Sequence, residues 1–375
     1  MIREEYSMKH HNDRLFAAAL AAAMMIGAAG CASGTKAPET TAASTTEAAA
    51  ETTAESASEN AADASSDAAA STEAHKEGAI RLAGLKGPTS IGMVKLLDDA
   101  EAGKSLNTYE FLMAASADEI TPKFLQGDLD IIAAPINLGS VLYNKSEGNI
   151  QMAAINTLGV TYIVESGDSK ELKNWADLKG ETIMATGKGS VPEYSLTYLL
   201  RENGLDPEKD VTIDWKSEPT EVVASMKENG KGIAMLPQPF VTVAKTQISD
   251  LKTVFNMTEE WDKLGTDSRL ITAGLFVRKD FAESHAKELA DFLSEYQAST
   301  EYANANPADA SKLVEKYGIV KAPIAEKAIP ECNIVTITGD DMKKAASGFL
   351  NVLSGLNPKA VGGKVPADDF YYVAQ

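Results

Sequence analysis

Residues 81–99 read Arg81-Leu-Ala-Gly-Leu-Lys-Gly-Pro-Thr-Ser-Ile-Gly-Met-Val-Lys-Leu-Leu-Asp-Asp99. The pattern predicts a short buried strand, a Gly-Pro turn and an amphipathic helix with Thr89 or Ser90 at its N-cap. The apolar stripe of this helix is Met93, Leu96 and Leu97. A helix that begins directly after a strand points its free backbone N–H groups off the carboxyl end of that strand. In open α/β sheets, ligands bind at that end.

A second copy of this unit lies 102 positions further along the chain. This is the offset from Gly87 to Gly189 and from Pro135 to Pro237. An ungapped offset through several elements predicts two equivalent α/β lobes, each with a strand–Gly-loop–helix and a strand–Pro–helix that face each other across a cleft. The alternative is that any two α/β units resemble each other to this degree.

The expected fold is therefore α/β, with two lobes joined by a two-strand hinge and a ligand cleft between them. We assign 78–160 and 272–375 to lobe one, and 161–271 to lobe two. Two extended runs, 159–165 and 269–277, predict the crossings between the lobes. Helices predicted near 280–304, 306–317 and 339–353 are expected to pack on lobe one.

The first 31 residues have the pattern of a targeting segment. Lys9 and Arg14 precede an apolar run that is too short to span a bilayer. Ala28-Ala-Gly-Cys31 then resembles a bacterial lipobox, although Ala28 stands where Leu is commonest. We expect lipidation (palmitate) at Cys31 and an extracytoplasmic, membrane-anchored protein. The alternative is an ordinary secretory signal with an incidental cysteine, and Met8 is a second possible initiator.

Residues 32–77 form a predicted tether of Ala, Thr, Ser and acidic residues. Positions 32–75 contain no large apolar side chain, so the segment buries too little surface to offset its ordering entropy. The whole chain has 375 residues and a net charge of −19. This acidic balance argues against nucleic-acid partners and against a surface that docks flat on anionic lipid.

Cysteine and histidine usage limits the possible chemistry. If Cys31 carries lipid, Cys332 is left without a disulfide partner and is expected to be a small buried residue. Three of the four histidines lie before residue 76, and the fourth, His285, has no ligand-spaced partner. The chain also lacks a phosphate-loop motif and a nucleophile elbow. We expect no cofactor, no metal and no enzyme activity.

Several segments together resemble the substrate-binding lipoproteins of ABC importers, in the nitrate/sulfonate/taurine-like group. Besides the lipobox and the tether, they are Leu85-Lys-Gly-Pro-Thr89, Asn156-Thr-Leu-Gly159, Ala185-Thr-Gly-Lys-Gly189 with Pro192-Glu193, Leu236-Pro-Gln-Pro-Phe240 and Glu259-Glu-Trp261. The resemblance implies a type II periplasmic-binding-protein fold. It also implies a chain, expected to be a monomer, that closes on a small molecule and presents it to ABC permease subunits.

Our candidate ligand-binding residues follow the predicted loops. They are Thr89, Ser90, Asn137, Thr157, Ser190, Tyr194, Gln238 and Phe240. For each, a plainer role remains open: helix capping for Thr89, Ser90 and Ser190, turn formation for Asn137, solvent exposure for Gln238, and core packing for the aromatic residues Tyr194, Phe240 and Trp261. Lys86 and Lys188 are either anion partners or solvated loop lysines.

The ligand and two other function classes stay open at this point. Helix N-termini without a loop arginine allow a small anion such as a sulfonate or nitrate, and equally an aromatic heterocycle stacked on Phe240 or Trp261. Relatives that synthesise a pyrimidine on this fold are one alternative, but they need histidine near the active loops, which is missing here. A ligand-sensing subunit of a membrane signalling system is the other alternative.

Overall fold

The structure is a computed structural model that describes residues 78–167 and 171–374. The predicted signal peptide 1–31 with Cys31, and the predicted tether 32–77, lie outside the described residues. Those assignments stay predictions. Within the described part of the chain, none of the helices combines the length and the apolar character that crossing a bilayer requires.

The described chain alternates strands and helices. The strands are β1 (Ile80–Leu85), β2 (Tyr109–Ala114), β3 (Ile131–Pro135), β4 (Ile150–Leu158), β5 (Thr161–Ser166), β6 (Thr182–Ala185), β7 (Thr212–Trp215), β8 (Gly232–Pro237), β9 (Lys252–Asn256), β10 (Ile271–Arg278) and β11 (Ile334–Ile337). The helices are α1 (Pro88–Ile91), α2 (Val94–Glu101), α3 (Ala117–Gln126), α4 (Ile136–Lys145), α5 (Val191–Glu202), α6 (Pro219–Asn229), α7 (Phe240–Gln247), α8 (Met257–Asp262), α9 (Lys279–Ser284), α10 (Ala286–Ala305), α11 (Pro307–Lys316), α12 (Ala322–Ala328) and α13 (Gly339–Leu356).

These strands form two separate sheets with the same internal order. Sheet one is ordered β2-β1-β3-β10-β4-β11, and sheet two is ordered β7-β6-β8-β5-β9. In each sheet the first three strands are parallel, and the fourth is antiparallel to both of its neighbours. The predicted fold class is confirmed: the protein has two α/β lobes.

The offset of 102 positions aligns equivalent elements of the two sheets. Strand β3 ends at Pro135 and β8 ends at Pro237, while α3 begins at Ala117 and α6 at Pro219. The same offset relates β2 to β7, whereas the pairing registers place β6 one position earlier, at an offset of 101 from β1: Leu82 pairs with β2 and β3 as Ile183 pairs with β7 and β8. The equivalence is therefore a property of the fold and not of composition.

The chain crosses between the sheets twice, close to the predicted positions. The first crossing is Gly159-Val160, between β4 and β5, and the second precedes β10. At the first crossing the Gly159 carbonyl accepts hydrogen bonds from Asn333 Nδ2 at 2.6 Å and from Thr258 Oγ1 at 3.0 Å. These two donors belong to distant segments of the chain, so the hinge backbone is fixed by tertiary contacts.

Each sheet buries an apolar cluster of its own, and a further cluster contains strand residues of both sheets. Under sheet one, Phe292 and Tyr296 of α10 pack with residues of β1, β3 and β10, which requires the 3.6-residue apolar stripe of that helix. Under sheet two, Val222 and Met226 of α6 pack with β5 and β8. Cys332 is fully buried in a further apolar cluster, as predicted, and burial raises the pKa of its thiol to about 12.

The carboxyl-terminal helices depart from the prediction in three respects. The first predicted helix is divided at His285 into α9 and α10, and α13 extends to Leu356. Helix α13 packs on α4 and β4, as expected, but also on α5 beside sheet two. Its Phe349 ring lies 5.3 Å from the ring of Trp261 in α8. The helix therefore contacts both lobes and does not brace lobe one alone.

Candidate functional site

A cavity of about 240 Å³ lies where both glycine loops, the β8–α7 turn and the two crossings meet. Sheet one contributes Gly87 and Pro88, which follow β1, and sheet two contributes Val191 and Pro192 at the start of α5. The parallel strands of each sheet end at this edge, so helix N-termini converge on the cavity. This is the cleft position that the repeat predicts.

The loop of sheet one differs from its prediction in helix length and capping. Helix α1 has four residues, and its N-cap is Gly87 without a side-chain cap. The prediction that Thr89 or Ser90 is the N-cap is wrong, because both residues lie inside α1. Their hydroxyls instead donate to the Leu85 carbonyl, at 3.0 and 2.7 Å. Both side chains are buried, and neither lines the cavity.

The loop of sheet two has Ser190 at the N-cap of the twelve-residue helix α5. Its hydroxyl donates to the Gly187 carbonyl at 2.7 Å and makes no cap hydrogen bond to the helix. The Glu193 carboxylate accepts a hydrogen bond from the Gly189 backbone N–H. Gly189 has φ +77° and Gly87 has φ +144°, which explains why both loops carry glycine at the equivalent position.

Gln238 and Phe240 are the two candidates that the structure places on the cavity wall. Gln238 is 3% exposed, and its Oε1 accepts from Thr242 Oγ1 at 2.9 Å and from Thr242 N at 3.3 Å. Its backbone N–H donates to the Val160 carbonyl at 2.9 Å, which ties the β8–α7 turn to the first crossing. The alternative that Gln238 is solvent-facing is therefore wrong.

The remaining candidates, Thr157, Tyr194 and Asn137, do not line the cavity. Thr157 is fully buried in β4 and donates to Asn156 Oδ1 at 3.2 Å. Tyr194 is buried, and its hydroxyl accepts from Asn357 Nδ2 at 3.2 Å. Asn137 lies in the first turn of α4, and its buried Oδ1 has no partner in the part of the chain that the structure describes.

One residue that we did not predict positions the loop of sheet one. Asn156 is fully buried, and its Nδ2 donates to the Thr89 carbonyl at 2.9 Å, across 67 positions of sequence. It therefore fixes α1 against β4. The Asn156-Thr-Leu-Gly159 segment drew attention to this residue in the sequence. The neighbouring sequence does not show that its partner is the Thr89 carbonyl, because the two residues are far apart in the chain.

The crossings also supply wall residues that the sequence analysis did not select. Val160 lies in the first crossing and Thr161 begins β5, whereas Leu270 lies in the second crossing and Thr272 is the second residue of β10. Their apolar or β-branched character is typical of buried strands, so periodicity gave no reason to treat them as ligand contacts. Trp261 is fully buried against Phe349 and Tyr198, which supports its core role.

Charge at the site is sparse. Lys86 lines the cavity and is exposed, whereas Lys188 is exposed on the other loop without lining it. Near the first crossing the Tyr162 hydroxyl donates to the Glu331 carbonyl at 2.8 Å, and burial raises the pKa of this phenol above its ordinary value. In residues 78–167 and 171–374, no group of three or more His, Cys, Asp or Glu side chains is arranged to hold a metal.

Comparison with known proteins places this arrangement in a family. The model of the NMT1-like family matches residues 88–317, which is more than half of the chain. The chain belongs to the NMT1-like family. The matched region of this NMT1-like chain begins at Pro88 on the cavity wall and contains the second loop and both crossings. A search of curated proteins finds no match.

Solved structures show the same fold. An ABC transporter structure from Parabacteroides distasonis superposes with a TM-score of 0.69 at 22% identity, covering 80% of this chain and 100% of that one. The periplasmic aliphatic sulphonate-binding protein SsuA from Escherichia coli gives 0.65 at 16% identity, with 80% and 94% covered. The MOPS-bound alkanesulfonate-binding protein SsuA from Xanthomonas axonopodis pv. citri gives 0.56 at 13%, with 78% and 96% covered. At these identities the likeness is one of fold, and it agrees with the type II periplasmic-binding-protein fold.

Proposed function

We propose that this NMT1-like protein is an extracytoplasmic solute-binding lipoprotein, which captures one small molecule between its lobes and delivers it to an ABC importer. The observation that carries the proposal is the cavity of about 240 Å³, whose walls come from the first glycine loop, the start of α5, the β8–α7 turn and the residues at both crossings. A molecule held there touches both lobes at once. If the molecule binds the closed conformation more tightly than the open one, its binding shifts the equilibrium toward the closed conformation.

The lobe boundaries and the anchor belong to the same proposal. We propose that 78–160 with 272–375 moves as one lobe and 161–271 as the other, about the backbone at Gly159 and the segment before Ile271. Lipidation of Cys31 holds the protein at the membrane, and the tether 32–77 gives it reach toward the permease. The fold of the ABC transporter structure and of the sulphonate-binding structures supports this role.

Capture of a solute from a natural mixture tests the proposal. The purified full chain is incubated with a low-molecular-mass extract of the producing cells, desalted and denatured, and the released molecules are identified by mass spectrometry. We expect one species at close to one molecule per chain. Thr272→Trp places a large side chain in the cavity wall and should abolish capture, whereas Val373→Trp, at a 68% exposed position, should not.

The outcome that contradicts the proposal is equally clear. Capture that is absent from the wild-type chain, or equal in the wild-type and Thr272→Trp chains, rules out solute binding in this cavity. Circular dichroism and thermal melting of both variants establish that they are folded before capture is compared.

A further inference from the structure

We infer that the cavity takes an uncharged, mainly apolar solute that offers a hydrogen-bond acceptor, and that it does not take an anion. The inference rests on the proposed function, because it names the ligand class of the same cavity. Its basis is the set of hydrogen-bond donors that the wall presents, which differs from what an anion requires.

The wall is predominantly apolar. Eight of its thirteen residues are four prolines, two valines, one leucine and one phenylalanine. Phe240 at the start of α7 is only partly buried and lines the cavity. Such a surface favours a ligand with an apolar body, whose transfer from water is favourable.

Prolines remove backbone donors at each helix start beside the cavity. Pro88 is the first residue of α1, Pro192 is the second residue of α5, and Pro239 directly precedes α7. Proline has no N–H group. Anions bind at helix N-termini through backbone N–H groups, so each of these helix starts offers one donor fewer, and no arginine lines the wall to replace it.

Three hydroxyls and one backbone N–H of the two loops are already used within the protein, which leaves the Thr161 and Thr272 hydroxyls of the wall. The Ser190 hydroxyl donates to the Gly187 carbonyl, and the hydroxyls of Thr89 and Ser90 donate to the Leu85 carbonyl. The Gly189 N–H donates to the Glu193 carboxylate. A negative charge therefore already lies at the start of α5, and a ligand anion there would be repelled by it.

Lys86 is the cation on the wall, and its exposure limits what it contributes. An exposed ammonium interacts with an anion in high dielectric and is screened by salt. This attraction is weaker than the cost of removing an anion from water into an apolar cavity. Lys86 alone therefore does not make an anion site.

Gln238 supplies the donor for an uncharged ligand. Its Oε1 is held by the N–H and hydroxyl of Thr242, which fixes the orientation of the amide. Its Nε2 makes no hydrogen bond to residues 78–167 or 171–374, so this group is left to donate to a ligand acceptor. A carbonyl oxygen or a ring nitrogen on an otherwise apolar molecule satisfies it.

Matched pairs of uncharged and charged probes test the inference on the full chain. Benzamide is compared with benzoate, benzenesulfonamide with benzenesulfonate, and pentanamide with pentanoate, by thermal shift at pH 7 and at low and high NaCl. We expect the uncharged member of a pair to raise Tm, independently of salt, and its charged counterpart to leave Tm unchanged. Gln238→Met removes the donor at similar volume and should weaken the uncharged probe roughly three- to tenfold.

Each other outcome overturns the inference. A rise in Tm with the charged probes, lost at high salt, shows an anion site, and a panel without any shift shows that the wall does not select this class. The probe comparison uses the wild-type chain, so it decides the question even if Gln238→Met fails to fold. The captured species separates the two proposals: an anion at pH 7 overturns the ligand class and leaves the solute-binding role intact, whereas absent capture overturns the role itself.

Discussion

The two glycine loops occupy equivalent places in two equivalent sheets, yet they are built differently. After β1, the helix stops at four residues and two hydroxyls return to the Leu85 carbonyl. After β6, the helix continues for twelve residues, and an acidic side chain closes the glycine loop. Strand order is thus retained between the lobes, while the hydrogen bonds that shape the cleft edge are particular to each. Predictions that treat the lobes as equivalent should hold for the cores and fail for the loops.

The largest expected effects concern matched core positions. Phe124 of α3 and Met226 of α6 are 102 positions apart and both fully buried. Replacing Phe124 by Ala should lower the free energy of unfolding by about 3–5 kcal/mol, and Met226→Ala by about 2–5 kcal/mol, because each leaves a cavity. Denaturant unfolding measures both.

Leu125→Ala serves as the control for this comparison. Its side chain is 45% exposed and adjacent to Phe124, so we expect a change within about 0.5 kcal/mol. If Phe124→Ala costs no more than Leu125→Ala, or if only one of the matched substitutions is destabilising, the two helices do not play equivalent structural roles.

The first crossing, at Gly159, offers the next test, and Gly355 in α13 serves as the comparison. A Cβ atom on Gly159 would lie 2.3 Å from Thr258 Oγ1 and 2.7 Å from Leu270 Cδ2. Gly159→Ala should therefore lower the free energy of unfolding by about 1–3 kcal/mol through overpacking. The same substitution at Gly355, in α13, meets no atom within 4 Å and should stabilise the protein by about 0.5–1 kcal/mol.

Thermal and denaturant melting of both glycine variants provide the measurement. Equal effects at Gly159 and Gly355 would mean that the first crossing is not packed as the structure shows. A large loss at Gly159 alone would locate the constraint at the hinge.

The smallest expected effects concern the caps of α3 and α6. Ser116 precedes α3 in a capping box with Glu119, whose Oε1 accepts from the Ser116 N–H at 3.0 Å. The equivalent position before α6 is Glu218, which makes no side-chain cap. Ser116→Ala should cost about 1 kcal/mol, and Glu218→Ser should gain up to about 1 kcal/mol. Urea titration measures both changes in the free energy of unfolding. A lower free energy of unfolding for Glu218→Ser would show that the equivalence of the two lobes does not extend to the caps of these helices.

Most of the fold was predictable because equivalent strands and helices occur in both halves of the repeat, so each half supports the assignment of the other. Strands β1, β3, β6 and β8, and the helix stop at Tyr317-Gly318, follow from apolar runs and from proline and glycine positions. Strand β11 and helix α12 were missed, because the stretch 322–337 is short and lacks a sustained apolar period. The contact of α13 with α5 depends on tertiary packing that no local pattern encodes.

The place of the cavity was predictable, and its wall residues only in part, while their role in ligand binding stays a prediction. Gln238 and Phe240 were found because prolines mark the turn after a buried strand. The hydroxyls of Thr89, Ser90 and Ser190 were chosen by residue type, but a sequence does not show that each already donates its hydrogen bond to a nearby backbone carbonyl. The apolar wall residues of the crossings look like ordinary strand residues until the lobes are assembled.

A crystal structure of the full chain with its captured solute tests the central claim most directly. The account predicts density for one molecule between Pro88 of the first loop and the Gln238–Phe240 turn, in contact with residues of both lobes. Density confined to another surface, such as the groove beside Arg278 and Asp280, with the cavity between the loops empty, would contradict it.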